Sequence, residues 1–363
     1  MTTRLLLLLL ALVSTTLTAA QQRLYLAAGG QLTVHRIDDA TGKLSVQQTL
    51  DLPGAGPFTR SPDGQRLYAM AGTGRKATMA TLDFVASGDL KPVHQAPINL
   101  SAGYLDVEDG GRFIAGNHYG PGKATIWKLE NGIYRGHTVQ ELTLEQKAHS
   151  SIFSPDNRWL LVPATGPNKV FVNRFDAKTG KATPNQPAFG RGPEGENHAR
   201  QPRHLVFHPN GKIVYTTNER EKPGVGVWQW DARKGKLKTI QDIITQPEDF
   251  GGNITTADLH LTPNHKFLYV SNRDITQRNA PTGRDSIVGF RVSQKNGRLY
   301  LIGHTPCERH PRSFTIDNTG RYLYVAGQVD SKLGAYRIEP KTGKLTKIAQ
   351  YEVGSRPTWV ETY

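Results

Sequence analysis

Seven short runs along the chain repeat one pattern: a basic residue, then bulky apolar and aromatic residues, often after a turn built on Asp, Asn or Gly. They begin at Arg23, Arg66, Arg112, Arg158, Lys212, Lys266 and Arg321, at intervals of 43, 46, 46, 54, 54 and 55 residues. The stretch from Gln201 to Arg220, QPRHLVFHPNGKIVYTTNER, exposes the unit. Residues 203–207 and 213–217 are rich in β-branched and aromatic side chains and predict two strands. His208-Pro209-Asn210-Gly211 between them predicts a tight turn, since Pro fixes its own φ and Asn and Gly accept a positive one.

After most copies comes an alternating run and then a Gly turn. Residues 32–37 precede Thr41-Gly42-Lys43, 170–175 precede Thr179-Gly180-Lys181, and 334–338 precede Thr342-Gly343-Lys344. A further strand follows each turn, so each copy predicts four antiparallel strands, a to d from the centre outward. Helical periodicity is absent beyond the first twenty residues. Residues 23–28 read as a strand b with no strand a before it, and 356–362 as a strand a with no b after it. Joining them in one blade predicts an all-β fold, a seven-bladed β-propeller closed by its two ends. Stretches 181–201, 246–256 and 274–285 account for the longer intervals and read as long loops.

Residues 1–20 stand outside this pattern. Arg4, an apolar run through Val13 and small residues at Thr18 and Ala20 predict a signal peptide, with the propeller in 21–363 and a periplasmic or secreted protein. The apolar run is too short to span a bilayer, so no membrane association is expected after cleavage. Cys307 is the only cysteine, which leaves the fold to its core rather than to an internal disulfide. The net charge of +14 comes without a run of five basic residues. That pattern points to a solvated basic surface and away from a nucleic-acid partner.

In a propeller, strand a starts and strand b ends on the same face. Aligning the blades by their turns puts Gly56, Gly103, His149, Arg203, Ala257, Arg312 and Arg356 at the start of strand a. Gly30, Thr73, Tyr119, Thr165, Glu219, Arg273 and Gln328 fall at the end of strand b. His149, Arg203, Glu219, Arg273, Arg312 and Gln328 then cluster at one channel mouth, with His204, Asn218, Asp258 and His260 beside them. Guanidiniums hold anions and developing oxyanions, and an imidazole or carboxylate takes a proton from water. Ester or lactone hydrolysis needs both. Structural ion pairing alone is the plainer explanation of the same charges.

His204 and His208 lie about 13 Å apart on a strand, too far for one metal ion. Asp106, Glu108 and Asp109, at a strand end and turn, read as solvent-exposed acids. The motifs Ala148-His149-Ser150, Pro202-Arg203-His204-x-x-Phe207-His-Pro-Asn210, Asn218-Glu219, Ala257-Asp258-x-His260-x-Thr262-Pro263, Asn272-Arg273 and Ala326-Gly327-Gln328 together resemble the bacterial β-propeller 6-phosphogluconolactonase family. Fungal carboxymuconate cyclases share that fold.

The resemblance implies a lactonase without metal or cofactor, with His149, Arg203, Glu219 and Arg273 as catalytic residues. His204, Asn218, Asp258, His260, Arg312 and Gln328 are then expected to bind substrate. The last full blade departs from the family pattern at His310-Pro311-Arg312-Ser313. The partner is a small sugar lactone. An exported protein favours glucono-1,5-lactone over its 6-phosphate, because sugar phosphates are mainly cytosolic. The 6-phosphate itself, and a non-enzymatic propeller binding a protein or cell-wall ligand, are the other two readings.

Overall fold

The computed structural model describes residues 22–363, apart from 192–193, 196–197, 200, 221 and 277–282. The predicted signal segment 1–20 lies outside the described residues. Seven four-stranded antiparallel sheets follow one another along the chain. Blade 1 contains Arg23–Ala28, Gln31–Ile37 and Leu44–Asp51, and its innermost strand is the C-terminal Trp359–Thr362. Leu24 pairs with Thr362 and Ala27 with Trp359, so the ends close the ring as the two incomplete repeats predict. The predicted hairpin is Pro202–Phe207 and Ile213–Asn218, with Gly211 at φ +65° donating its N–H to His208 O.

The repeated sequence has a repeated physical use. Strands b are buried along their whole length in most blades, and apolar clusters join neighbouring sheets. Tyr215 and Val227 of blade 5, for example, pack with Leu268, Val288 and Phe290 of blade 6. The aromatic residue of the signature then latches most blades to the next. Tyr68 donates its hydroxyl to Gly132 O, Tyr215 to Gly297 O, Tyr269 to Gly343 O and Tyr324 to Gly42 O, at 2.7–2.9 Å. Trp159 does the same through its indole N–H to Ala232 O. Glycine is required at the receiving turn. At Gly42, φ is +71° and a Cβ would stand 2.3 Å from the Tyr322 ring.

Two expectations change. Residues 181–191 are not loop: Lys181–Arg191 is the outer strand of blade 4, kept in register with Lys169–Asp176 across a bulge. Of the three acids of blade 3, Asp109 is exposed as expected, and the other two are engaged by the protein. Strand a of that blade turns Asp106 inward, where Oδ2 accepts the Phe153 N–H at 2.7 Å. Glu108 is fully buried and accepts the N–H groups of Gly110 and Arg112 and the Asn157 amide. A carboxylate satisfying a turn's N–H groups needs no water. Among the described residues no helix is long and apolar enough to cross a membrane.

Candidate active site

The inner strands start with a break in the period-2 alternation. In blade 5, Pro202 pairs with Asn218 and Leu205 with Thr216, so Arg203 and His204 together face Thr217 alone. In blade 6, Ala257 and Asp258 face Ser271 in the same way. These are β-bulges, one extra residue on the inner strand. The displaced N–H groups of His204 and Asp258 are taken up by the Thr217 and Ser271 hydroxyls, at 3.1 and 3.0 Å. The bulge lets Arg203 and its neighbour His204 both serve the axis, where a regular strand would turn one of them away.

The mouth that results is a cavity of about 370 Å³ lined by His149, Glu219, Arg273 and Arg312, with Tyr119 and Arg220 at its side. Glu219 Oε1 lies 2.9 Å from Arg273 Nη2 and 3.6 Å from Arg203 Nε. Arg203 Nη1 donates to Ala257 O at 2.6 Å, and Arg273 Nη2 also donates to Thr256 O at 3.0 Å. Burial by itself would raise the Glu219 carboxyl. The Arg203 and Arg273 charges and the Arg273 hydrogen bond outweigh it and hold the group below its ordinary value. Burial, then the charges of Arg203, His204 and Arg312, push His149 well below the usual imidazole value. His149 is therefore neutral at pH 7, with its ring edge-on to both Tyr119 and His204.

Behind His204 runs a second set of charges. His204 Nδ1 is 2.9 Å from Asp258 Oδ1, and Asp258 Oδ2 is 3.3 Å from His260 Nε2. Burial and then Arg203 pull His204 down to about 4, against Asp258. Burial would also lower His260, but Asp258 outweighs it and raises the ring to about 9. Asp258 is thus an ionised acceptor between a neutral His204 and a charged His260. It fixes the His204 proton on Nδ1 and leaves Nε2 as an acceptor.

His149, Arg203, Glu219, Arg273, His204 and Arg312 come together as the alignment predicts, and the structure places the other four residues differently. Asp258 and His260 sit one layer deeper, with His260 against Phe314, and reach the mouth only through His204. Asn218 points away from the axis. Its amide donates to Asp242 Oδ1 at 3.0 Å and its Oδ1 accepts from Thr216, because the last residue of a paired strand follows the pleat. Gln328 lines neither mouth cavity; its backbone N–H donates to His310 O at the blade 7 strand end.

The slot assigned to Arg356 belongs to Thr358. Arg356 has φ +51°, matching Lys147, Gln201 and His310, each two residues before a slot side chain. Aligning Pro202, Pro311 and Pro357 would have found it. Tyr119 occupied its slot but carries no charge, and Arg220 follows the slot by one residue; neither has a motif that marks it. Among the described residues no three His, Cys, Asp or Glu side chains stand close enough to hold a metal.

The family model for the seven-bladed β-propeller lactonases matches residues 12–362. A 6-phosphogluconolactonase of Pectobacterium carotovorum is 31% identical over 342 residues, covering 94% of this chain and 98% of its own. That of Yersinia pseudotuberculosis is 31% identical over 344 residues, covering 94% and 97%. The periplasmic gluconolactonase of Pseudomonas aeruginosa superposes with a TM-score of 0.82 at 24% identity, over 94% of this chain and 98% of that one. With seven blades closed by the two chain ends and a match over nearly the whole length, the protein belongs to the seven-bladed β-propeller lactonase family.

Proposed function

We propose that this protein is an exported lactonase that hydrolyses glucono-1,5-lactone to gluconate, with the channel mouth as its active site. The observation that carries the reading is the buried Arg203–Glu219–Arg273 group beside a neutral His149. Water attacks C1 of the lactone while His149 takes its proton. The charge that develops on the carbonyl oxygen faces preorganised guanidiniums in a site of low dielectric, where such stabilisation is largest. The C1–O5 bond then breaks and the imidazolium returns the proton to the ring oxygen. The new acid ionises in water. Glu219 is engaged with two guanidiniums, 2.9 Å from Arg273 Nη2 and 3.6 Å from Arg203 Nε, and serves to orient them.

Two observations bear on the phosphate. The signal-like sequence of residues 1–20 supports an exported enzyme and hence an unphosphorylated substrate. The name of the curated relatives favours the second reading, 6-phosphoglucono-1,5-lactone. Turnover of both lactones above the spontaneous rate, on protein whose amino terminus has been sequenced, tests the proposal. A start near Gln21 and a higher kcat/KM for the unphosphorylated lactone are expected. An intact Met1 on cytosolic protein with preference for the phosphate would select the second reading, and no turnover of either would leave a ligand-binding propeller.

A further inference from the structure

Asp258 is surrounded by donors. The Leu259 and Phe314 N–H groups point at its two oxygens, at 3.0 and 3.3 Å. His204 Nδ1 and His260 Nε2 complete the set, at 2.9 and 3.3 Å. An ionised carboxylate only accepts, so each ring turns a protonated nitrogen towards it. The His204 proton is therefore on Nδ1, and its Nε2 is an acceptor.

That acceptor has no donor among the described residues, and neither ring nitrogen partner is found for His149 Nδ1. His204 and His149 are only 3% and 5% exposed, and their ring centroids stand 5.3 Å apart in an edge-on arrangement. Buried polar atoms are nearly always paired, and here an orphaned acceptor and an orphaned ring nitrogen lie on neighbouring rings. One hydrogen bond, direct or through a single water, spans such a gap. The row Asp258, His204, His149 then crosses blades 6, 5 and 4 and ends in the reaction cavity, which His149 lines.

We propose that Asp258 and His204 are positioning residues for His149: His204 Nε2 accepts the His149 Nδ1 proton, which leaves His149 Nε2 to take the proton from water. The proposal rests on the lactonase reading of the mouth and gives its base a tautomer. The gap is longer than a direct hydrogen bond in the free protein, and catalytic hydrogen bonds often tighten only once substrate is bound. In the step, an O–H bond of water breaks as its oxygen bonds to C1, and the proton goes to His149 Nε2. No proton travels along the row: His149 and His204 keep theirs on Nδ1 and Asp258 stays ionised. Burial and the charges of Arg203 and Arg312 oppose the imidazolium that forms. The Asp258 carboxylate, reached through His204, favours it. Glu219 is already taken by Arg203 and Arg273.

The test joins ring-nitrogen NMR of the histidines to kinetics of Asp258→Asn, both on the full chain. Spectra at pH 7, free and with excess gluconate, are assigned with His149→Gln. His149 is expected to carry its proton on Nδ1, as His204 does. In Asp258→Asn the new amide can donate to His204 Nδ1, which turns that ring into the tautomer that cannot accept from His149. The His149 proton should then leave Nδ1, and kcat for glucono-1,5-lactone should fall by about 10² with KM nearly unchanged, since Asp258 touches no substrate. A His149 proton on Nε2 in both wild-type spectra would overturn the row, and this reading stands whether or not the variant folds. So would a folded variant whose kcat stays within about threefold of wild type, or one that loses only on KM. Either result on an active wild type leaves the lactonase reading intact, whereas a wild type that turns over neither lactone would remove that reading and the positioning role with it.

Discussion

Replacing Glu219 by Gln keeps the side chain's shape and removes its charge, and the surroundings set the cost. Glu219 Oε1 stands 2.9 Å from one guanidinium nitrogen and 3.6 Å from another, and the three side chains are 6%, 6% and 1% exposed. At an effective dielectric of about 20 those attractions are worth about 6 and about 5 kcal/mol. Most of that offsets the cost of burying three charges, and breaking one member of such a group leaves a net loss of about 3–5 kcal/mol. With unfolding entropy of about 2 cal/mol/K per residue, Tm should fall by about 4–7 °C for a chain of this length.

The loss also has a pH signature. The folded Glu219 carboxyl is held below its unfolded value, so its contribution is full above about pH 4.3 and is lost as pH falls through the folded value. Calorimetry of wild type and Glu219→Gln from pH 7 to pH 3.5 should show the gap closing in acid. A Tm gap under about 1 °C at pH 7, or one that persists unchanged at pH 3.5, would refute the ion-pair argument. The double variant Glu219→Gln/Arg273→Gln should recover part of the loss, because one buried charge is no longer left over.

The other predictions follow from the same geometry. His149→Gln should lower kcat by about 10². The reference imidazole value would put an acid limb near pH 6.5; burial and the nearby charges move it lower, and it should vanish in the variant. A limb that vanishes in Glu219→Gln instead would make Glu219 the base. Deleting residues 356–363 removes Trp359–Thr362 and bares the inner edge of Arg23–Ala28, so the product should be insoluble or melt far below the full chain. A wild-type melt would mean the ends do not hold the ring. Activity should survive exhaustive EDTA treatment, since the mouth presents cations to its ligand; loss restored by Ca²⁺ or Zn²⁺ would place the chemistry at other residues.

Much of the architecture is legible in the chain because it is built from local rules that repeat. Strand alternation, Asn-Gly turns, and latches such as Tyr215 to Gly297 and Tyr269 to Gly343 act within one or two repeats, and the two incomplete repeats at the ends can be completed only by each other. Which charges belong to one mouth also follows, since equal positions in equal blades meet at the axis. What a side chain does once there was decided by the tertiary structure. Bulges void the period-2 rule where the site is built, putting Arg203 and His204 on the axis together. The left-handed residue at Arg356 shifts its blade by two and hands the slot to Thr358. Asn218 carries a polar side chain at a strand end, yet Asp242 of the outer strand claims it. Asp258 reads as one more polar residue until the fold sets it 2.9 Å from His204, 54 positions earlier. That contact joins adjacent blades one repeat apart and has no local signature, because the bulges rather than the period-2 pattern decide which side chains meet.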